Sequence, residues 1–132
     1  DIDQINDKTD ILLVNSYGES LKYFNATKNV FLGKSLIKAL IKDSGQNPIE
    51  AARLGCKVFH GPYVSNFVEI YEYLEKLGVS KKINNHEELS VYLTEELKKE
   101  IPKNYDAGKI IENHGQNILV NVIMELKKHI NY

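Results

Sequence analysis

The sequence predicts an α/β fold, a Rossmann-like parallel sheet flanked by helices. Three observations carry this prediction. Short apolar runs recur along the chain, helical segments separate them, and a glycine-bearing loop follows each of the first three runs. Such runs are typical of strands buried on both faces, and short strand–helix–strand units place neighbouring strands parallel.

The elements are predicted in the following order. Strands are expected at residues 11–14, 29–32 and 56–60, with a more polar strand nearer an edge at 79–83. Helices are expected at residues 18–26, 48–54, 67–77, 86–100, 105–113 and 116–129. Pro102 separates two of the C-terminal helices, and Gly115 is expected to kink or break the last pair. Residues 1–132 are therefore expected to form a single domain, with 86–132 mostly helical.

Composition excludes several classes of function. At 132 residues the chain can form one domain with a real core, and its formal net charge of −1 offers no basic field for nucleic acid. The single cysteine, Cys56, excludes an internal disulfide and a cysteine-based zinc site, and a buried thiol is its expected role. No apolar run approaches the roughly 20 residues that cross a bilayer, and no signal peptide is visible. Because the chain opens at Asp1 without Met, we expect a segment of a longer protein.

The loops that follow the apolar runs are the first candidates for a binding site. Ligands of open α/β sheets bind outside the carboxyl ends of the strands. The loops there are Asn15-Ser16-Tyr17-Gly18-Glu19, Gly33-Lys34-Ser35 and Gly61-Pro62-Tyr63. We expect all three to lie on one rim of the sheet.

A further segment, Ser44-Gly45-Gln46-Asn47-Pro48-Ile49-Glu50, has the composition of a ligand-binding helix start. Asn47 suits an N-cap, and Pro48 suits the first helical position. Ser44 and Gly45 leave room for close approach to the backbone. Unpaired N–H groups at a helix start favour a phosphate or carboxylate, whereas Glu50 is suited to accept hydrogen bonds from sugar hydroxyls. The segment therefore predicts a nucleotide-sugar site.

Helix capping is the competing explanation for Glu50. Three pairs share the capping-box spacing of three residues and recur every nineteen residues: Asn47 and Glu50, Asn66 and Glu69, and Asn85 and Glu88. Only Glu50 follows a Ser-Gly turn. On spacing alone, both roles of Glu50 stay open.

Other side chains carry weaker predictions. His60 ends a strand at the rim and could donate to a phosphate, although a packed or surface histidine is the simpler interpretation. The other three histidines lack metal-ligand spacing, so no metal site is predicted. Gly33-Lys34-Ser35 is similar to the end of a Walker loop, but Lys28 stands where its first glycine should be, so no P-loop is predicted.

Five separated pieces of the chain together resemble the pattern of one family. They are Gly18-Glu19, Gly33-x-Ser35, Ser44-Gly45-Gln46-Asn47-Pro48-Ile49-Glu50-Ala51-Ala52, Gly61-Pro62 and Asn66-Phe67. Their order and approximate spacing resemble the C-terminal half of the 3-deoxy-D-manno-octulosonic acid (Kdo) transferases of Gram-negative bacteria. Those enzymes carry Gly-Gly-His-Asn-x-x-Glu, then Gly-Pro, then Asn-Phe. Residues 10–67 carry nearly all of the resemblance.

The resemblance implies a fold and an activity. It implies the GT-B architecture, two Rossmann-like domains facing across a cleft, with CMP-Kdo held by the C-terminal domain. The N-terminal domain, absent from this sequence, would bind the lipid A precursor and supply the catalytic base. Kdo would move to a sugar hydroxyl of that precursor, CMP would leave, and no metal or other cofactor would be needed. The full-length protein would work at the cytoplasmic face of the inner membrane as a peripheral protein, while this segment alone would be soluble and inactive.

The resemblance also assigns roles by position. Glu50 matches the glutamate that accepts hydrogen bonds from the ribose hydroxyls of the donor. Ser44, Gly45, Gln46 and Asn47 match the loop that brings backbone N–H groups to the phosphate and Kdo. The remaining donor-site positions match rim segments: Gly18, Glu19, Gly33, Ser35, Gly61, Pro62 and Asn66.

This chain departs from the family pattern at three positions. Ser44 replaces the first glycine of Gly-Gly-His-Asn, Gln46 replaces its histidine, and Lys34 replaces the middle glycine of a Gly-Gly-Ser turn. Gln46 keeps a hydrogen-bond donor but cannot become positively charged. An altered donor, a divergent branch of the family and weakened activity are therefore open alternatives.

Two other classes of function also remain open. One is a GT-B transferase or epimerase that uses a UDP- or GDP-sugar, since a ribose-binding glutamate after a glycine-rich loop is shared among them. The other is a non-catalytic α/β interaction domain, in which glycine-bearing rim loops would serve no ligand.

Overall fold

The computed structural model describes residues 5–130 and has an α/β architecture, as predicted. Three parallel strands form one sheet in the order β1-β2-β3: β1 (Asn29–Leu32), β2 (Lys57–His60) and β3 (Ser80–Lys82). The helices are α1 (Ser20–Ala26), α2 (Ile49–Arg53), α3 (Val68–Lys76), α4 (His86–Lys98) and α5 (Tyr105–His129). A short 3₁₀ helix, Lys38–Asp43, lies between β1 and α2.

The strand register places alternate side chains on opposite faces of the sheet. Val58 of β2 pairs with Val30 and with Ser80, and Phe59 pairs with Phe31 and with Lys81. On the Val58 face, the core is built from β1, β2, α2, α3 and α5, and its fully buried members include Ala52 and Leu74. On the other face Phe59 is buried, and the Lys81 ammonium lies 4.6 Å from the ring centroid of Tyr92 in α4. The sheet therefore has helices on both faces.

The predicted strand at residues 11–14 is wrong. Within the described residues this segment joins no sheet, and the side chains of Ile11 and Leu13 are 87% and 90% exposed. A strand requires a neighbouring edge that accepts its backbone hydrogen bonds and a layer that covers its side chains. The apolar run has neither here.

The predicted break at Gly115 is also wrong, because α5 is continuous from Tyr105 to His129. A single glycine costs a helix only about 1 kcal/mol relative to alanine, and a Cβ at Gly115 would meet no atom within 4 Å. The helix packs on α2 at Gly108, where a Cβ would lie 2.3 Å from the carbonyl oxygen of Arg53. Beyond Ile111 every described residue of α5 is exposed.

Helix α3 buries two residues, Tyr71 and Leu74. Tyr73 is only half-buried and stacks against His114 of α5, with ring centroids 5.1 Å apart. Tyr71 lies beneath the rim loops, which an apolar-spacing argument did not anticipate.

The amino edge of the sheet is closed by side chains that bind carbonyl groups. Cys56 is buried, as predicted, and its thiol donates to the carbonyls of Phe24 and Thr27 at 3.2 and 3.4 Å. Lys103 donates to the carbonyls of Phe24 and Asn25 at the end of α1. Cations and donors suit the C-terminal ends of helices, where carbonyl groups lack intrahelical partners.

Candidate functional site

The loop after β1 and the loop after β2 are in direct backbone contact. Ser35 is buried, and its hydroxyl donates to the carbonyl of Leu32 at 2.7 Å while accepting the N–H of Gly61 at 2.9 Å. The N–H of Tyr63 donates to the carbonyl of Ser35 at 2.9 Å. A Cβ on Gly61 would lie 2.0 Å from that carbonyl oxygen, so only glycine allows this approach. Ser35 therefore joins the two loops. Its hydroxyl acts as donor to the end of β1 and as acceptor from the second loop, so both roles are filled within the protein.

The segment around Ser44 and Gly45 is attached to both of these loops. The Gly45 N–H donates to the Lys34 carbonyl at 2.8 Å. Ser44 is fully buried, its hydroxyl lies 2.9 Å from the hydroxyl of Ser65, and it accepts the Ser65 N–H at 3.2 Å. Gly45 has a φ of +81°, and a Cβ there would be 3.0 Å from the Cα of Val64. Three loops that are distant in sequence thus form one cluster at the carboxyl edge of the sheet, which we call the rim cluster (residues 33–36, 44–47 and 61–65).

Lys34 has the backbone conformation that its place in the turn requires. Its φ is +55°, and it is the one non-glycine residue with a positive φ in the described chain. Lysine in this region costs roughly 1–2 kcal/mol relative to glycine. This strain explains why glycine suits the middle position of the turn, where this chain has Lys34.

The exposed part of the rim cluster carries the groups that could meet a ligand. Gln46, Asn47 and Glu50 are exposed, and within residues 5–130 the N–H groups of Gln46 and Asn47 have no hydrogen-bond partner. The N–H groups of Ser44 and Gly45, by contrast, are bonded to the carbonyls of Ile41 and Lys34. Within the described part of the chain, two N–H groups and one carboxylate are therefore available for contact with a ligand.

The helix that follows the loop is too short to contribute a large dipole. Residues Ile49–Arg53 make little more than one turn, so the peptide dipoles sum over few units. Pro48 flanks this turn with helical backbone angles, φ −84° and ψ −8°, and the Asn47 side-chain oxygen accepts the Ile49 N–H at 3.0 Å. The N-cap residue of α2 is Pro48 and not Asn47, so the helix begins one residue later than predicted, although the Asn47 side chain still binds an N–H of its first turn. Anion binding here would depend on individual N–H groups.

The three pairs with capping-box spacing behave differently. Asn85 accepts the Glu88 N–H at 2.8 Å, while the Glu88 carboxylate accepts the N–H of Asn84 at 2.9 Å, and this hydrogen bond holds the pKa of Glu88 below its usual range. No capping bond joins Asn66 to Glu69, so that predicted box is wrong. The Glu50 carboxylate has no hydrogen-bond or ion-pair partner among residues 5–130. The capping explanation for Glu50 is therefore not supported by its contacts.

His60 is packed beneath the rim cluster and does not face solvent. It is 3% exposed, and its Nδ1 lies 2.8 Å from the Gly61 carbonyl oxygen. The carbonyl can only accept, so Nδ1 carries the proton and donates. The ring contacts the Tyr71 ring, with centroids 4.0 Å apart and the planes tilted by 35°, and the Tyr71 hydroxyl donates to the Gln46 carbonyl at 2.8 Å. The simpler prediction for His60, a packed histidine, is the one the structure supports.

Of the remaining predicted residues, Gly18, Glu19 and Asn66 lie outside the rim cluster, whereas Gly33 and Pro62 belong to its loops. Glu19 accepts hydrogen bonds from Ser16 and Lys22, and Lys22 is the larger cause that lowers the pKa of Glu19. Among residues 5–130, no hydrogen bond links Gly18 or Glu19 to the rim cluster. Pro62 and Asn66 are exposed, and Gly33 lies at the start of the first rim loop.

Sequence reasoning missed two residues that hold the site together, Ser65 and Tyr71. Ser65 lies between the Gly-Pro and Asn-Phe pieces, and its role comes from its hydrogen bonds with Ser44 and with the Ile41 carbonyl. Tyr71 could have been recognised from its spacing of three residues before Leu74, since both are buried on one face of α3.

The described residues form neither a metal site nor a membrane-spanning helix. Within residues 5–130, no three His, Cys, Asp or Glu side chains lie close enough together to hold a metal ion. The helices of the same part of the chain include none with both the length and the apolar character to span a membrane.

Comparison with known proteins gives one informative similarity. No family model matches the chain. The chain is 32% identical over 94 residues to 3-deoxy-D-manno-octulosonic acid transferase of Aquifex aeolicus (strain VF5), and the aligned segment is 70% of this chain but 26% of that protein. The chain thus spans about a quarter of the length of the curated relative it matches.

Proposed function

We propose that this chain is the donor-binding part of a glycosyltransferase that moves Kdo from CMP-Kdo to a lipid A precursor in lipopolysaccharide biosynthesis. The observation that carries the proposal is the rim cluster, in which three loops far apart in sequence meet at the carboxyl edge of the sheet. Open α/β sheets bind ligands at this edge. The similarity to a Kdo transferase favours Kdo as the sugar.

The geometry favours a specific division of tasks within this site. The unpaired N–H groups of Gln46 and Asn47 would donate to the phosphate of CMP. The Glu50 carboxylate, which has no hydrogen-bond or ion-pair partner among the described residues, would accept hydrogen bonds from the ribose hydroxyls. Ser35, Ser44 and Gly61 would hold the loops in place rather than touch the ligand, because their polar groups are already bonded or buried.

The chemistry of transfer would need parts that this chain does not carry. Donors aimed at the CMP phosphate stabilise the charge that develops as CMP leaves. The acceptor and the base would come from an N-terminal domain facing this one across a cleft, without a metal ion. The full-length protein would then act as a peripheral enzyme at the cytoplasmic face of the inner membrane.

A nucleotide titration tests the proposal directly. CMP should bind this chain more tightly than UDP or GDP, as measured by calorimetry at pH 7.5. Glu50→Gln, which keeps the shape and removes the charge, should weaken CMP binding on the order of tenfold or more, because hydrogen bonds to charged groups contribute about 1.5–3 kcal/mol. Glu69→Gln is the matched control, an exposed carboxylate on the first turn of the next helix.

Three results would contradict the proposal. They are no CMP binding, tighter binding of UDP or GDP, or equal CMP affinity in Glu50→Gln and wild type. Tighter UDP or GDP binding would favour a different nucleotide-sugar enzyme. In the full-length protein, Glu50→Ala should lower donor use while the fold, followed by circular dichroism, stays intact.

A non-catalytic interaction domain is the second candidate, and one observation favours it. The outer half of α5 exposes apolar side chains that include Leu119, Ile123 and Met124, each between 42% and 59% exposed. Apolar patches of this kind often mark interaction surfaces. Failure of all three nucleotides to bind would favour this candidate.

A further inference from the structure

We propose that His60 and Tyr71 are positioning residues that together hold the two ligand-facing loops of the rim cluster, 44–47 and 61–65, in one arrangement. The inference rests on the proposed function for its link to the donor, and on contacts alone for the link between the loops. His60 donates to the Gly61 carbonyl in one loop, and Tyr71 donates to the Gln46 carbonyl in the other. The contact between the two tilted rings connects the residues that make these hydrogen bonds.

The pair is placed where it can control loop geometry. His60 ends β2, and Tyr71 lies on α3, so each loop is anchored to a rigid element. The Gln46 carbonyl belongs to the residue whose free N–H is a proposed phosphate donor. Because a peptide plane is rigid, the group that holds the Gln46 carbonyl also orients the Asn47 N–H, which lies in the same plane and is the other proposed phosphate donor. Loss of the Tyr71 hydroxyl should therefore turn the peptide that lies between Gln46 and Asn47.

The arrangement requires a neutral His60. Its Nε2 is the one buried side-chain nitrogen or oxygen without a partner within residues 5–130, and the proton on Nδ1 leaves Nε2 as an acceptor. A second proton would place an unpaired charge in the core. The charged groups that act on the ring are Glu75 of α3, which favours protonation, and Lys82 of β3, which opposes it. Desolvation is the largest effect and lowers the pKa of His60.

Amide hydrogen exchange tests the positioning role without any ligand. Tyr71→Phe keeps the ring and removes the hydroxyl, and Tyr73→Phe is the matched control on the same helix, since Tyr73 donates no hydrogen bond in the described chain. Tyr71→Phe should speed exchange at the Gly45 and Tyr63 amides several-fold, while the β2 amide of Val58 stays unchanged. Exchange at Gly45 and Tyr63 that matches Tyr73→Phe would overturn the inference.

CMP titration then tests the link to the donor. Tyr71→Phe should weaken CMP binding about three- to tenfold, the loss expected for one hydrogen bond of about 1 kcal/mol, and Tyr73→Phe should not. His60→Gln, whose amide can still donate, should bind CMP as tightly as wild type at pH 7.5. Because burial lowers the pKa of His60, its protonation lies below pH 6.5. In that range His60→Gln should lose less CMP affinity than wild type, and this difference separates His60 from titration of the CMP phosphate, which both proteins share.

The outcomes separate this inference from the proposed function. If wild type binds no CMP, the proposed function fails, and the exchange data alone decide whether the pair holds the loops. If CMP binds wild type and Tyr71→Phe equally, the proposed function stands and the positioning role is refuted. An identical pH profile for His60→Gln and wild type would refute the requirement for a neutral His60.

Discussion

Replacing Gly61 with alanine is the sharpest test of the rim cluster. The new Cβ would lie 2.0 Å from the Ser35 carbonyl oxygen and 2.4 Å from its carbonyl carbon, whereas ordinary Cβ contacts lie at 3.4–4 Å. Both atoms belong to the backbone, so no side-chain rotation relieves the clash. The two loops must separate by about 1 Å or more, and a hydrogen bond stretched by that amount is lost.

The magnitude follows from what the separation breaks. Two hydrogen bonds join the loops at this point, from Gly61 to the Ser35 hydroxyl and from Tyr63 to the Ser35 carbonyl, each 2.9 Å long. Their loss removes about 1 kcal/mol each, and overpacking adds about 1–3 kcal/mol. We expect Gly61→Ala to lower the free energy of unfolding by about 4 kcal/mol, a large share of the 5–15 kcal/mol typical of a domain.

Urea denaturation followed by far-ultraviolet circular dichroism measures this change. With a slope of about 1–3 kcal/mol per molar urea, the midpoint should fall by more than 1 M. Gly33→Ala is the matched control in the neighbouring loop, because a Cβ there meets no atom within 4 Å. It should be neutral or stabilising by up to about 1 kcal/mol. A loss below about 1 kcal/mol in Gly61→Ala, or equal losses in both variants, would refute the close approach of the two loops.

Three further perturbations test other features. Lys34→Gly removes the strain of a positive φ and should raise the free energy of unfolding by about 0.5–1 kcal/mol, after the greater flexibility of glycine in the unfolded chain is subtracted. An unchanged or lower thermal midpoint would contradict this. Burial lowers the pKa of His60, so the unfolded chain binds more protons below pH 6.5, and stability should be greatest above that pH and fall as the pH drops. Urea midpoints of wild type should show this fall and those of His60→Gln should show less of it. Burial raises the pKa of the Cys56 thiol, so a disulfide reagent should label it only as the protein unfolds, and fast labelling of the native chain would be inconsistent with its packing.

Much of the fold follows from local pattern. The strand at 29–32 was predicted with the observed bounds, and the predicted strands at 56–60 and 79–83 each extend one residue beyond β2 or β3 at one or both ends. The first two of these segments are short apolar runs closed by glycine, the third is more polar, and each has a neighbour in the sheet. Residues 11–14 have the same local pattern and no neighbour, so local pattern alone could not reject them.

The candidate site was predictable in part for a different reason. Glycine-bearing loops and Glu50 stand out because their residue types are unusual for packing. Their attachment depends on pairs such as Ser44 and Ser65, 21 residues apart, and Ser35 and Gly61, 26 residues apart. No local pattern encodes such pairs. The same limit applies to Glu50. It follows Asn47 at the same spacing at which Glu88 follows Asn85, but of the two carboxylates only that of Glu88 accepts a backbone N–H from the described residues.

The serine hydrogen bonds that join the loops of the rim cluster have a consequence for the thermodynamics of binding. Ser35 and Ser44 join the loops within the protein itself, so the entropy lost in ordering them belongs to the free energy of folding. A ligand that settles there meets a preorganised receptor, and association need not include that entropic cost again. Its binding should therefore proceed close to lock-and-key, with backbone shifts below about 1 Å and a heat-capacity change set by the ligand's own buried surface.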